Sequence, residues 1–379
     1  MIRAPVKPEL LRWARERTGR SVEDLSARFK KLAQWERGEA QPTLKQVEAF
    51  AKATSVAIGY LFLPEPPEEK VPIPDLRTVG GGLGHPSPDL LDTIYLCQQR
   101  QAWYRQYARS AGLEPLNFVG GADRKAPVEE TAHHMRETLR FDLDARRRCP
   151  TWTDALRRFI SEADDLGVLV MCSGVVGTNN HRKLDTEEFR GFALTDEYAP
   201  LVFINGADTK AAQMFTLAHE LAHIWLGQTA LSDVTPASVP SQGIEAWCNR
   251  VAAEFLVPLK IIRQDMPREN PLAEVSRLAR QYKVSSLVIL RRAFDAGRIG
   301  WDAFEQAYRK EVARLRELPR GEGGDFYLTQ TARASRRFVR ALIADTLEGR
   351  TLYRDAFRML GVKKEATFRE FGRNLGYAI

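Results

Sequence analysis

FTLAHELAHIWLG, residues 215–227, holds two of the six histidines in this 379-residue chain, four positions apart, with Glu220 following the first. On a helix, residues i and i+4 share a face one turn apart, so His219 and His223 can offer two imidazoles to one ion. Glu220 then stands where it can take a proton from water beside that ion, as a general base. A five-residue HExxH match arises by chance too, so the surroundings decide. Phe215, Ala218, Leu221, Ala222, Ile224 and Trp225 make the helix apolar on its other faces. That dry wall suits a metal site, and Gly227 ends the helix.

A catalytic site needs a third protein ligand and an open fourth position. The following helix, IEAWCNRVAAEFLVP (244–258), carries Glu245 and Glu254. Nine residues of helix leave them half a turn out of phase, so only one can face the ion. Glu245 shares its face with Asn249, which can hold a ligand in place from behind. Asp233, on the intervening loop, is a rival. For the group that stabilises an oxyanion, His181, Arg190 and Tyr198 are candidates.

The segments around this motif alternate in type. TWTDALRRFISEADDLG (151–167) reads as a capped helix. VLVMC (168–172), FRGFAL (189–194) and PLVFIN (200–205) are short β-branched or apolar runs bounded by turn residues, and predict a small sheet. Helices are expected at 89–113 and 127–141. Segments 63–88, 118–127 and 318–325 are loop signals, and the first, rich in Pro and Gly, must be an irregular linker or a strap across another surface.

In order and spacing, RGFAL, APLVFIN, QMFTLAHELAHIWLG, IEAWCNRVAAEFLVP and LARQYKVSSLVILRRA together resemble the ImmA/IrrE family of metallopeptidases over roughly residues 165–300. The resemblance implies a peptidase with His219, His223 and Glu245 as ligands and Glu220 as catalytic base. It also implies a helix-turn-helix repressor as substrate, whose cleavage switches on a stress, DNA-damage or mobile-element response. Trp247 and Cys248 depart from the family's pattern and alter packing beside the site. One divalent ion is expected, Zn2+ by its taste for imidazole and carboxylate, with Mn2+ or iron able to use the same ligands.

The fold expectation is α+β and mostly helical. A small-sheet, HExxH, zincin-like metallopeptidase domain (151–300) is flanked by an N-terminal domain (1–64), a linker with helices (65–150) and a basic C-terminal helical region (301–379). Residues 11–56 resemble an XRE-type helix-turn-helix, with Ser21 and Asp24 as a cap pair. About five residues of that pattern are missing between LSARF and LAQWERG. Val22, Leu25, Phe29, Leu32 and Trp35 recur at helical steps, which predicts one continuous helix with no reading head. At the other end, 351–376 reads as a helix, a Gly-Val turn and a basic helix.

Charge is uneven. Residues 1–64 carry 12 Lys/Arg and 7 Asp/Glu, and 301–379 carry 16 and 11, so each end is +5, while the middle makes up the balance to +7 overall at 28 minus 31, or −3. Basic surfaces attract phosphate backbones. Lys30, Lys31, Arg37, Arg336, Arg337, Lys363 and Lys364 are the DNA-contact candidates. An alternative reading is a DNA-binding regulator or antitoxin whose peptidase-like domain binds a partner, such as a toxin encoded nearby. No apolar run reaches membrane-spanning length, and MIRAPVKPELLRWARERTGR lacks a secretory core, so a cytoplasmic chain with reduced cysteines and no membrane partner is expected.

Overall fold

A computed structural model describes residues 3–76, 86–232, 243–317 and 331–377. Asp233, the 318–325 loop signal and residues 77–85 of the Pro/Gly-rich segment lie outside the described residues. The chain divides into two units, Met1–Pro72 with Gly80–Ile94, and Ile73–Val79 with Tyr95–Ile379.

The first unit is built from α1 (Pro8–Glu16), α2 (Val22–Ser26), α3 (Leu32–Glu36), α4 (Leu44–Ala53) and a 3-10 turn at Ile58–Phe62. Ser21 and Asp24 form the expected reciprocal cap, and Thr43 with Gln46 forms a second one on α4. The continuous helix expected over Val22–Trp35 is absent: residues 27–31 are a turn between two short helices. The apolar residues still converge, because a turn presents them to one core as well as a helix does. Phe29 packs on Trp35 (6.1 Å) and edge-on to Phe50 (5.5 Å). Lys30 and Lys31 stand exposed on that turn.

Helices α5 (Pro88–Ser110), α6 (Val128–Thr138) and α7 (Leu143–Arg147) follow, the first two close to the bounds expected for them. In the second unit the sheet order is β1 (Leu169–Ser173), β5 (Leu201–Asn205), β4 (Gly191–Leu194), β6 (Ala230–Ser232). β1 and β5 are parallel, with Leu169 opposite Leu201, while β4 runs antiparallel to both β5 and β6. The three predicted runs are strands; β6 and the hairpin β2–β3 (Val175–Val176, Asn179–Lys183) are additions. β4, β5 and β6 are buried throughout, as expected for apolar runs covered on both faces.

Helices α8 (Trp152–Leu166) and α9 (Lys210–Leu226) pack against this sheet, and α10 (Ile244–Leu256) packs on α9 and α6. Thr151 and Thr209 cap α8 and α9 through their hydroxyls. Gly227 ends α9 at φ 66°, a left-handed conformation that a side chain would strain. A loop clamps that end: Gly120 and Ala122 donate to the carbonyls of Ile224 and Trp225, and Phe118 lies on Trp225 at 4.5 Å. Of the C-terminal helices Arg336–Leu347, Tyr353–Leu360 and Glu365–Asn374, the last two follow the predicted helix, Gly361 turn and helix. The first is tied to α8 at Asp164, which accepts from the Ser335 hydroxyl (2.7 Å) and the Arg337 amide (3.0 Å).

Part of the Pro-rich segment is a strap. Residues 74–76 run parallel to β6 on its outer side. Leu231 donates its N–H to the Pro74 carbonyl and accepts from the Leu76 N–H, each at 2.9 Å.

Candidate metal centre

α9 is buried on every side from Gln213 to Trp225, so its polar groups act on one another. His219 and His223 set their Nε2 atoms 3.1 Å apart. α10 returns across α9 and brings Glu245, with Oε2 3.2 Å from His219 and Oε1 3.0 Å from His223. These three make the candidate metal cluster. Ligands held about 2.0–2.1 Å from a tetrahedral ion stand roughly 3.3 Å from one another. The three observed separations lie within a few tenths of an ångström of that, and two imidazoles with a carboxylate are a fitting donor set for a borderline divalent cation.

Electrostatics follow from burial. Burial alone raises the Glu245 carboxyl, but the two facing imidazoles outweigh it and hold it at about 2. His223 is lowered, first by burial and then by its histidine neighbour, against the pull of Glu245. Glu220 is pushed well above the ordinary carboxylate range by burial and then by the charge of Glu245, against a smaller lowering by the nearby Ser232 hydroxyl. Neither of its oxygens makes a hydrogen bond of good geometry among the described residues, Ser232 being the nearby hydroxyl. It lies against the start of β4, where Gly191 leaves it room.

The other candidates separate. Glu254 is half a turn away and pairs with Arg292, while its carboxylate accepts from the Leu259 amide at 3.1 Å. Asn249 is bonded to neither ligand; both atoms of its amide are buried without a partner. Arg190 pairs with Asp208 at 3.1 Å, Tyr198 lies under Arg109, and His181 is exposed on β3. Arg37 pairs with Glu39, and Arg337 spends its guanidinium on the Tyr104 hydroxyl. So Arg337 fastens a helix instead of facing solvent as a DNA contact would. Arg336, Lys363 and Lys364 are exposed. Trp247 and Cys248 are fully buried beside the site, and burial followed by the charges of Glu245 and Glu220 pushes the Cys248 thiol well above its ordinary value.

Two features carried no sequence signal. Ser232, at the end of β6, places Oγ 3.3 Å from His223 Nε2. The C-terminus of α10 is held by three arginines: Arg136 donates to the carbonyls of Glu254 and Phe255, Arg146 to Leu256 and Arg292 to Val257. Cations suit a helix C-terminus, where carbonyls lack partners. Here they fix the helix that delivers Glu245.

Comparison with known proteins agrees with this geometry. Residues 163–294 match the IrrE N-terminal-like domain, and residues 334–374 match a domain of unknown function, DUF8813. The radiation response metalloprotease IrrE of Deinococcus radiodurans is 37% identical over 92 residues, 23% of this chain and 28% of that protein. The chain thus spans little more than a quarter of that relative's length. No solved structure matches it. The matched stretch contains the whole sheet, both helices of the candidate centre and its three candidate ligands, so the sequence match and the geometry together support an IrrE-like metallopeptidase domain at residues 163–294.

Proposed function

We propose that this protein is a zinc-type endopeptidase of the cytoplasm that cleaves a helix-turn-helix transcriptional repressor and so switches on a stress, DNA-damage or mobile-element response. The observation that carries the reading is a buried His219–His223–Glu245 cluster beside a buried carboxylate, Glu220. A structural metal site has no need of such a base. A divalent cation held by the three side chains supplies Lewis acidity. Glu220 takes a proton from the attacking water on one carboxylate oxygen and delivers it to the leaving amide nitrogen. The dry walls of α9 keep bulk water from competing.

Metal content of the purified protein, by elemental mass spectrometry, tests the centre. Near one equivalent is expected in the wild type and little in His223→Ala. No metal in the wild type after supply of Zn2+ or Mn2+ would sink the reading. Glu220→Gln should keep the metal and lose hydrolysis.

The exposed Lys30 and Lys31, on a turn between two short helices, favour a second reading. In it the N-terminal unit contacts DNA, and the protein serves as a regulator or as the antitoxin of a nearby toxin. Binding to duplex DNA that weakens with salt, and whose salt slope shrinks when both lysines become alanine, would support it. Loss of metal should leave that binding unchanged.

A further inference from the structure

Beyond the three candidate ligands and Glu220, one more polar side chain reaches the centre. Ser232 closes β6, is fully buried, and sets its hydroxyl oxygen 3.3 Å from His223 Nε2. That is about the spacing expected between neighbouring ligands of one small ion. Strand register brings it there. Ser232 lies opposite Gly191 across β4 and β6, and Gly191 is the residue whose missing side chain leaves room for Glu220. The Ser232 hydroxyl therefore borders both the Glu220 carboxyl and one candidate ligating nitrogen.

A hydroxyl donates one hydrogen and accepts through its lone pairs. With a cation on His223 Nε2, that nitrogen has no lone pair left for the hydroxyl, and a buried O–H without a partner is costly. Glu220 is the neighbouring acceptor, and Ser232 draws its carboxyl down against the larger rise from burial. An O–H given to one Glu220 oxygen leaves the other oxygen free for a proton. It also leaves the serine lone pairs free to accept a hydrogen from water.

We propose that Ser232 is a positioning residue for hydrolysis: its hydroxyl donates to one oxygen of Glu220 and accepts one hydrogen of the attacking water, so that the water's other hydrogen faces the free oxygen of the base. The inference rests on the peptidase reading, which supplies the water and the base. The proton that leaves the water passes to Glu220. The serine O–H bond stays intact throughout, so Ser232 acts through Glu220 and is neither nucleophile nor acid.

The test loads the full chain with Co2+, whose visible spectrum reports the surroundings of the ion without any substrate. Ser232→Ala removes the hydroxyl oxygen and Ser232→Cys replaces it by sulfur, so both should fold and keep the metal. The alanine variant should shift the visible bands, because the hydroxyl no longer borders the open position. The cysteine variant should add a thiolate-to-cobalt charge-transfer band in the near ultraviolet. That band is read as a difference from wild type, since Cys97, Cys149, Cys172 and Cys248 are common to all three proteins. With β-casein as an unfolded probe substrate, Ser232→Ala should lower kcat by about tenfold or more with KM nearly unchanged, and Ser232→Thr, which restores the hydroxyl, should recover most of it. Either spectral change supports the placement of Ser232, and the absence of both would overturn it. Altered spectra with unchanged kcat would overturn the positioning role. Wild-type protein that takes up Co2+ but cuts no casein would count against the peptidase reading, and the spectra then decide alone whether Ser232 borders the open position.

Discussion

Gly191 and Glu220 are in close approach across the β4–α9 interface: a Cβ at residue 191 would stand 3.1 Å from Glu220 Oε1, 2.9 Å from the Phe203 carbonyl and 2.6 Å from Thr216 Cγ2. Glu220, the proposed base, is therefore seated by a strand with no side chain at that point. Gly191→Ala should destabilise the fold by about 1–3 kcal/mol through overpacking. Because the ligands lie elsewhere on α9 and α10, the variant should keep its metal while hydrolysis falls at least about tenfold, the cost of roughly 1.4 kcal/mol in the transition state. Urea unfolding and metal content, measured together, separate the two effects.

Metal should hold α9 and α10 together, since His219 and His223 come from one helix and Glu245 from the other. Chelation is expected to lower the thermal midpoint. An ion supplied at about a thousand times its dissociation constant stabilises by roughly 4 kcal/mol. Glu245→Gln keeps the shape and loses the charge, so its midpoint should respond far less to added Zn2+. An equal response in both proteins would remove Glu245 from the ligand set.

The arginines under α10 should differ in cost. Arg292→Met leaves Glu254 as a buried carboxylate without its ion pair, which costs about 3–5 kcal/mol. Arg146→Met leaves the Leu256 carbonyl unpartnered, which costs about 1–3 kcal/mol. Chemical denaturation gives the order directly, and the reverse order would mean that the Glu254 carboxylate finds solvent.

Stability should carry a pH signature from Asp164. Burial raises its carboxyl to about 6, against the opposing hydrogen bonds from Ser335, Arg337 and Val170. The folded value lies above the unfolded value near 3.8, so the fold prefers the protonated acid. That contribution is complete below about pH 4 and is lost as pH rises through about 6. A rise of that size is worth roughly 3 kcal/mol. Asp164→Asn has no such titration, so its stability relative to wild type should improve by up to that amount between about pH 4 and about pH 7. A difference that is flat with pH would contradict this. At low pH the variant should be the weaker of the two, because one face of its amide meets the Arg337 N–H.

The elements of the family domain were largely legible because their signals are local. Thr151 and Gly167 bound α8, Thr209 precedes α9, and the apolar runs at 169–173 and 201–205 are strands. The N-terminal unit shows where such signals mislead. Spacing of Leu25, Phe29, Leu32 and Trp35 satisfies a continuous helix, yet two short helices joined by a turn bury the same residues against Phe50. Periodicity records which residues go inside and is silent on whether the backbone breaks between them.

The sequence by itself determined the pairing of His219 with His223, and the place of Glu220 beside them, because a helix fixes i to i+4 by its covalent repeat. Phase also set Glu245 and Glu254 on opposite sides of α10. Tertiary structure alone decided which side faces the two histidines, that Ser232 ends beside His223, that Gly191 makes room for Glu220, and that residues 74–76 pair with β6. Those relations join residues far apart in the chain. They depend on how loops and packed layers bring elements together, and no local spacing encodes that.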